Sequence, residues 1–299
     1  MRVDRMKGKC AALLCPAMLC LAMLCLAMLS STGCLVRRRT VAPPGPPPKG
    51  PALVATKDEL IARIRRFSEL FQSFNMKADM SPSVGSVNGG ELTDYATIRA
   101  DILFRKPRDI RVLGLDPVVH STTIFDMVST GKNFRVSIPS RNNFIEGNDD
   151  APPGSKNKLE NLRPGAFLSA LVLAPPEAAD LTVLEDDTDP GKALYVVLIL
   201  EQTQGQLRLL RSVSFNRYTL EIIRQRTFDA AGAILGDIQY SDWKPYGGIS
   251  YPSSITIRRP QDGYEVAIAV VELNFNTPGV TSEKFVLEQP AGTHLVLMK

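Results

Sequence analysis

From Phe74 onward the chain alternates apolar and polar side chains with a period of two, and that alternation restricts it to one kind of architecture. Ile98, Ala100, Ile102 and Phe104 alternate with Thr97, Arg99, Asp101 and Arg105, the signature of a strand with one dry and one wet face. The pattern returns at Ile110/Val112, Phe134/Val136/Ile138, Leu207/Leu209/Val213/Phe215, Tyr218/Leu220/Ile222, Ile255/Ile257 and Tyr264/Val266/Ile268/Val270. The last run changes phase to Leu273/Phe275, which predicts a β-bulge near Val270 and Val271. Lys106-Pro107, Asp116-Pro117, Thr130-Gly131-Lys132 and Pro260-Gln261-Asp262-Gly263 supply turns between the runs. Strand runs joined by short hairpins predict a mainly β protein with a few helices: one large, strongly curved antiparallel sheet, closing partly or wholly into a barrel.

Two stretches read as helix. Thr56-Lys57-Asp58-Glu59 forms a capping box, in which Thr56 and Glu59 satisfy each other's free backbone donors. Leu60, Ile64, Phe67 and Phe71 then fall on one apolar stripe of about four turns. The second stretch, 164–173, is short and apolar on nearly every side, with Pro164 suited to the first helical position. It follows a polar stretch, 147–164, whose slack makes the short helix a candidate mobile lid rather than a fixed core element.

The N-terminal region fixes a compartment before it fixes any structure. All five cysteines lie in the first 34 residues. Arg2, Arg5, Lys7 and Lys9 precede an apolar run over 11–29, and Ser31-Thr32-Gly33-Cys34 closes it. That order of basic, apolar and small residues is the order of a secretory signal peptide. Small residues directly before Cys34 resemble the lipobox of bacterial lipoproteins, with Ser31 standing where leucine is usual. The predicted organisation is a lipoprotein signal peptide over 1–33, a lipidated Cys34 with a Pro-rich tether over 34–55, and a folded domain over 56–299. Ordinary cleavage to a soluble exported protein and retention of 11–29 as a membrane anchor are the alternatives. The tether carries Arg37, Arg38 and Arg39, which suit anionic headgroups or plain solvent, and prolines that favour an extended semi-rigid chain.

Several function classes fall away by counting. Once 1–33 are removed the chain keeps Cys34 and no other cysteine, so neither disulfides nor a Cys–His nucleophile pair are available, and two histidines cannot build a Cys/His zinc site. No metal and no cofactor is expected. The +4 formal charge includes +3 from Arg2, Arg5, Lys7 and Lys9 against Asp4, so the domain is near neutral and gives no electrostatic case for nucleic acid. The chain contains no G-x-S-x-G, P-loop, G-x-G-x-x-G or H-E-x-x-H motif. Spacing alone leaves open a triad on His120 in an exported hydrolase, though no carboxylates pair on the inward-facing positions.

Ordered motifs along the domain resemble one family. Phe104-Arg105-Lys106-Pro107-Arg108-Asp109-Ile110-Arg111-Val112 resembles a strand pair of the LolA/LolB-like lipoprotein-localisation superfamily, and Asp126 with residues 131–139 resembles its next hairpin. Tyr240-Ser241-Asp242-Trp243, Gly248, residues 251–257, Asn274 and Phe285-Val286-Leu287 with Pro290 resemble its closing strands. The lipobox makes the chain similar to the membrane-anchored LolB type. The resemblance implies an incomplete β-barrel, plugged by the N-terminal helix and the short lid helix, that binds the acyl chains of lipids or lipoproteins without catalysis. Cavity residues implied are Ile98, Ile102 and Phe104, Ile110 and Val112, Phe134 and Val136, and Phe167, Leu168 and Leu171 of the short helix. A dry, packed core is the competing reading of the same stripes. The resemblance also implies a membrane-contact loop at Val118 and Val119, which otherwise read as core, and a soluble periplasmic carrier protein as partner. The implied location is the periplasmic face of the outer membrane, where lipidation at Cys34 would include a palmitate-like chain; Leu35 in place of aspartate agrees with it. A sensor or scaffold lipoprotein on the same fold, without transfer, is the alternative.

Overall fold

The cap of the first helix forms as its sequence predicts. In the computed structural model, which describes residues 50–86, 91–119, 121–131, 133–148, 162–189 and 191–298, the Thr56 hydroxyl accepts from the Glu59 amide at 3.3 Å. The Glu59 carboxylate in turn accepts from the Thr56 amide at 2.7 Å. Helix α1 runs Lys57–Glu69 and buries Leu60 and Ile64 completely. It ends before Phe71, which the stripe had placed on it. Phe71 is nonetheless fully buried, delivered by the turn into the first strand.

Among the described residues, fifteen strands form a single sheet. The first half contains β1 (Ser73–Ser86), β2 (Glu91–Asp94), β3 (Ile98–Arg105), β4 (Asp109–Leu115), β5 (Thr123–Ser129), β6 (Asn133–Ile138) and β7 (Asn143–Asn148). Helix α2 (Pro164–Leu171) follows. The second half contains β8 (Leu181–Asp189), β9 (Lys192–Thr203), β10 (Gln206–Asn216), β11 (Ile222–Phe228), β12 (Ile234–Tyr246), β13 (Ile249–Arg259), β14 (Tyr264–Phe275) and β15 (His294–Met298). The order is β15-β7-β6-β5-β4-β3-β1-β14-β13-β12-β11-β10-β9-β8, with β2 added to β1. The two end strands, β15 and β8, do not pair, so the curved sheet is an incomplete barrel.

Three details correct or sharpen the reading from sequence. The bulge near Val271 is present: Lys77 pairs with Glu272 and Ala78 with Val270, which leaves Val271 unopposed and 64% exposed. That extra residue lets Leu273 on one side and Val266 and Ile268 on the other all turn inward. Residues 218–220 are not strand. They make the turn between β10 and β11, where Leu220 adopts φ 55° and its amide donates to the Asn216 carbonyl at 2.7 Å. The sheet is also not wholly antiparallel, because β15 pairs parallel to β7. Gly147 permits that approach, since a Cβ there would lie 2.8 Å from the Met298 Cβ.

Burial divides the sheet's faces sharply. The concave face carries one continuous apolar core with α1 and α2 laid into it, including Met76, Met80, Ile102, Phe104, Phe215 and Ile255. Each such large side chain contributes about 1.5–3 kcal/mol on burial. The convex face carries ion pairs between neighbouring strands, among them Arg111–Asp126 at 2.6 Å, Arg258–Glu265 at 2.5 Å and Arg224–Asp237. The chain after β14 crosses this outer face and buries Val280 and Phe285 against Val128. Arg111 donates to the Lys284 carbonyl at 2.8 Å to hold that segment.

Candidate functional site

A curved sheet with an apolar inner face must cover it, and here the cover at the centre is α2. Pro164 opens the helix, where its missing amide costs nothing. Ala166, Phe167, Ala170 and Leu171 are buried in the half-barrel, and Leu168 is partly buried against the same core. The helix is only eight residues long, too short to be stable alone in water. Its stability therefore comes from the barrel wall.

Its C-terminal end shows how the wall holds it. The last carbonyls of a helix have no partner within it. Leu168 finds one in the Val172 amide at 2.9 Å. The next three carbonyls are each met by a side chain from a different strand. Gln225 of β11 donates to Ser169 at 3.0 Å, Tyr240 of β12 to Ala170 at 2.9 Å, and Tyr251 of β13 to Leu171 at 2.9 Å. All three donors are buried. Burial raises the Tyr240 and Tyr251 phenols well above their ordinary range, so both remain protonated donors. Behind Gln225 stands Arg211, an inward cation whose own pKa burial lowers.

The opposite end of α2 is held by a buried cation. Arg163, only 4% exposed, places its guanidinium 5.0 Å over the Phe134 ring and donates to the Met298 sulfur at 3.0 Å. Cation–π stacking of this kind contributes roughly 0.5–2 kcal/mol when desolvated.

The ten residues assigned to a cavity do come together. Ile98, Ile102, Phe104, Ile110, Val112, Phe134, Val136, Phe167 and Leu171 are buried in one core, with Leu168 packed against it. With α2 in place they pack on one another. A groove of about 710 Å³ lies elsewhere, between β6, β7, β15 and residues 285–287, and of the ten only Phe134 lines it. Val118 and Val119 are 85% and 54% exposed, against the reading of them as core. Their amides both donate to the Asp116 carboxylate at 2.8 Å, which fixes the tip of the β4–β5 hairpin. Cys34 and His120 lie outside the described residues. Among the described residues no three of His, Cys, Asp and Glu stand together to hold a metal.

Sequence reasoning did not single out Gln225, Tyr240 and Tyr251 as a group. Tyr240 and Tyr251 entered only as strand residues. One sign was available: polar side chains on inward positions of strands that are otherwise apolar there.

Comparison with known proteins bears on the architecture. No family model and no curated protein matches the sequence. Solved structures do. A LolA superfamily protein from Nitrosomonas europaea matches with a TM-score of 0.50 at 11% identity, over 78% of this chain and 99% of its own. The domain has a LolA/LolB-like fold. A DUF1329 family protein from Desulfovibrio piger matches with a TM-score of 0.50 at 13% identity, over 76% of this chain and 97% of its own. At such identities the LolA/LolB-like likeness is one of fold, and the chemistry of the interior has to be argued from the residues themselves.

Proposed function

We propose that this protein is an envelope lipoprotein, anchored through Cys34, that binds the acyl chains of lipids or lipoproteins inside its half-barrel in exchange for α2. The observation that carries the reading is the way α2 is attached. Apolar side chains fill the interior, yet the helix is fixed at its C-terminal end by three separable hydrogen bonds from Gln225, Tyr240 and Tyr251. Breaking them leaves three buried donors facing an acyl chain, at about 1–3 kcal/mol each. The apolar surface that α2 leaves behind is re-covered by an acyl chain at about 0.8 kcal/mol per methylene. Met76, Met80 and Met127 in the wall are fully or almost fully buried, and unbranched thioethers repack readily around a new shape.

No bond is made or broken in this role, and the outer-membrane location rests on the lipobox and Leu35. Native mass spectrometry of the protein from a bacterial host tests binding, since co-purified lipid adds a discrete mass. Bare protein alone, together with amides over 167–171 as protected as the central strands with and without lipid, would overturn it. Cys34→Ala tests the anchor separately: unchanged mass and unchanged membrane fractionation would exclude lipidation.

A further inference from the structure

One end of the half-barrel carries a surface that the acyl-binding role does not use. Phe74 pairs with Phe275 and Phe104, Tyr251 lies 5.8 Å from Phe275, and Phe67 of α1 stacks on Tyr251; Leu220 of the β10–β11 turn and Trp243 of β12 line one depression with Phe67, so all share this end. Phe67 of α1 packs on Trp243 at 5.8 Å. Two adjoining depressions run along α1 here and share Arg63, Arg66 and Leu220. Their walls are mostly apolar, with Val54 84% exposed at one side and Leu70 41% exposed beside Trp243 at the other.

Charge gives this surface its preference. Arg63 and Arg66, which line both depressions, are exposed, and among the described residues neither has a carboxylate within ion-pair distance. Of the nearby acids, Glu59 lines the first depression and is committed to the Thr56 cap, which with a weaker pull from Arg63 holds its carboxyl below the usual range, while Glu69 is exposed and Glu221 lines the second depression. The incoming chain is pinned at the same end. The Leu53 amide donates to the Arg217 carbonyl at 2.7 Å, and the Arg217 guanidinium donates back to the Leu53 carbonyl at 3.3 Å. Cys34 lies sixteen residues before Gly50, a reach of at most about 50 Å for an extended Pro-rich chain.

We propose that this face docks on an anionic lipid bilayer, with Arg63 and Arg66 against headgroup phosphates and Val54, Leu70 and Trp243 at the interface. Basic residues beside exposed apolar ones are what a bilayer surface selects, and tryptophan suits the headgroup level. The idea rests on the membrane-anchor reading for its geometry. It turns Val118 and Val119 away from the bilayer, because β4 runs from Ile110, level with Phe104, to Leu115, level with Arg99, at the opposite end of the strands.

Trp243 is the only tryptophan in the chain and reports on the groove directly. The protein is purified from whichever fraction holds it, membrane or soluble, so the test survives failure of the anchor. It is then placed with vesicles of phosphatidylethanolamine and phosphatidylglycerol carrying acyl-brominated lipid. We expect Trp243 quenching that falls about two-fold or more in high salt or in the Arg63→Glu/Arg66→Glu variant. Phosphatidylcholine vesicles should quench it weakly. Absent quenching overturns the proposal. So does quenching that survives both salt and charge reversal, which marks lipid inside the barrel instead. Loss of vesicle association on Val118→Asp/Val119→Asp with Trp243 unquenched would place the bilayer at the other end.

Discussion

The Tyr251 hydroxyl donates to the carbonyl of Leu171, eighty positions earlier in the chain. This single bond ties the last turn of α2 to the wall of the half-barrel, and Tyr240 repeats it one carbonyl earlier. Both phenols sit in an apolar interior where their carbonyl partners have no access to water. An orphaned carbonyl there costs about 1–3 kcal/mol.

Tyr240→Phe/Tyr251→Phe should therefore loosen α2 without harming the sheet. The expected loss is about 2–4 kcal/mol, appearing first as faster hydrogen exchange over 167–171. Exchange in those amides equal to wild type would show that apolar packing alone holds the helix.

The same phenols predict a one-sided pH response. Burial raises Tyr240, Tyr251 and Tyr264 above the ordinary phenol value. The folded protein thus retains protons that the unfolded chain releases from about pH 10 upward. Their contribution to stability is complete below that pH and falls as pH rises beyond it, by about 1.4 kcal/mol per pH unit for each phenol. Urea midpoints measured from pH 8 to pH 11 should drop steeply only at the alkaline end. The double phenylalanine variant should show a shallower drop, and an equal slope in both proteins would refute the assignment.

Ile102 lies at 0% exposure in the centre of β3, opposite Val112 and Met76. Ile102→Asn places an amide where nothing can pair with it, at a cost of about 3 kcal/mol. Acyl-chain binding should fall with it. Ile102→Val, costing about 1 kcal/mol, separates the two effects: lipid retention should survive there, measured by native mass against the thermal midpoint.

Val271 tests whether the bulge sets the register. Val271→Thr should be neutral within about 0.5 kcal/mol, since the side chain is in solvent. Deleting Val271 removes the phase change and sends Leu273 or Ile268 to the wet face, for a loss of several kcal/mol. Equal thermal midpoints for the deletion and Val271→Thr would show that the strand slips at no cost.

How much was legible in the sequence follows from how far apart the deciding residues lie. The α1 cap, the alternation of β3 and the phase change at Val271 are encoded within a few positions, because period and capping act between near neighbours. Runs such as β9 hid their strand character, since Ala193, Tyr195, Val196, Val197 and Ile199 are buried on both faces and show no alternation. Residues 218–220 looked like strand until the chain had to reverse there, where Asn216 meets both Leu220 and Glu221. The parallel docking of β15 on β7 and the three donors meeting α2 join segments that sequence leaves unrelated. Local chemistry, by itself, determined a one-sided apolar sheet with a capped helix ahead of it. Only tertiary structure decided where the sheet stays open and which side chains close on the plug, because buried carbonyls take their donors from whatever strand the fold brings within 3 Å.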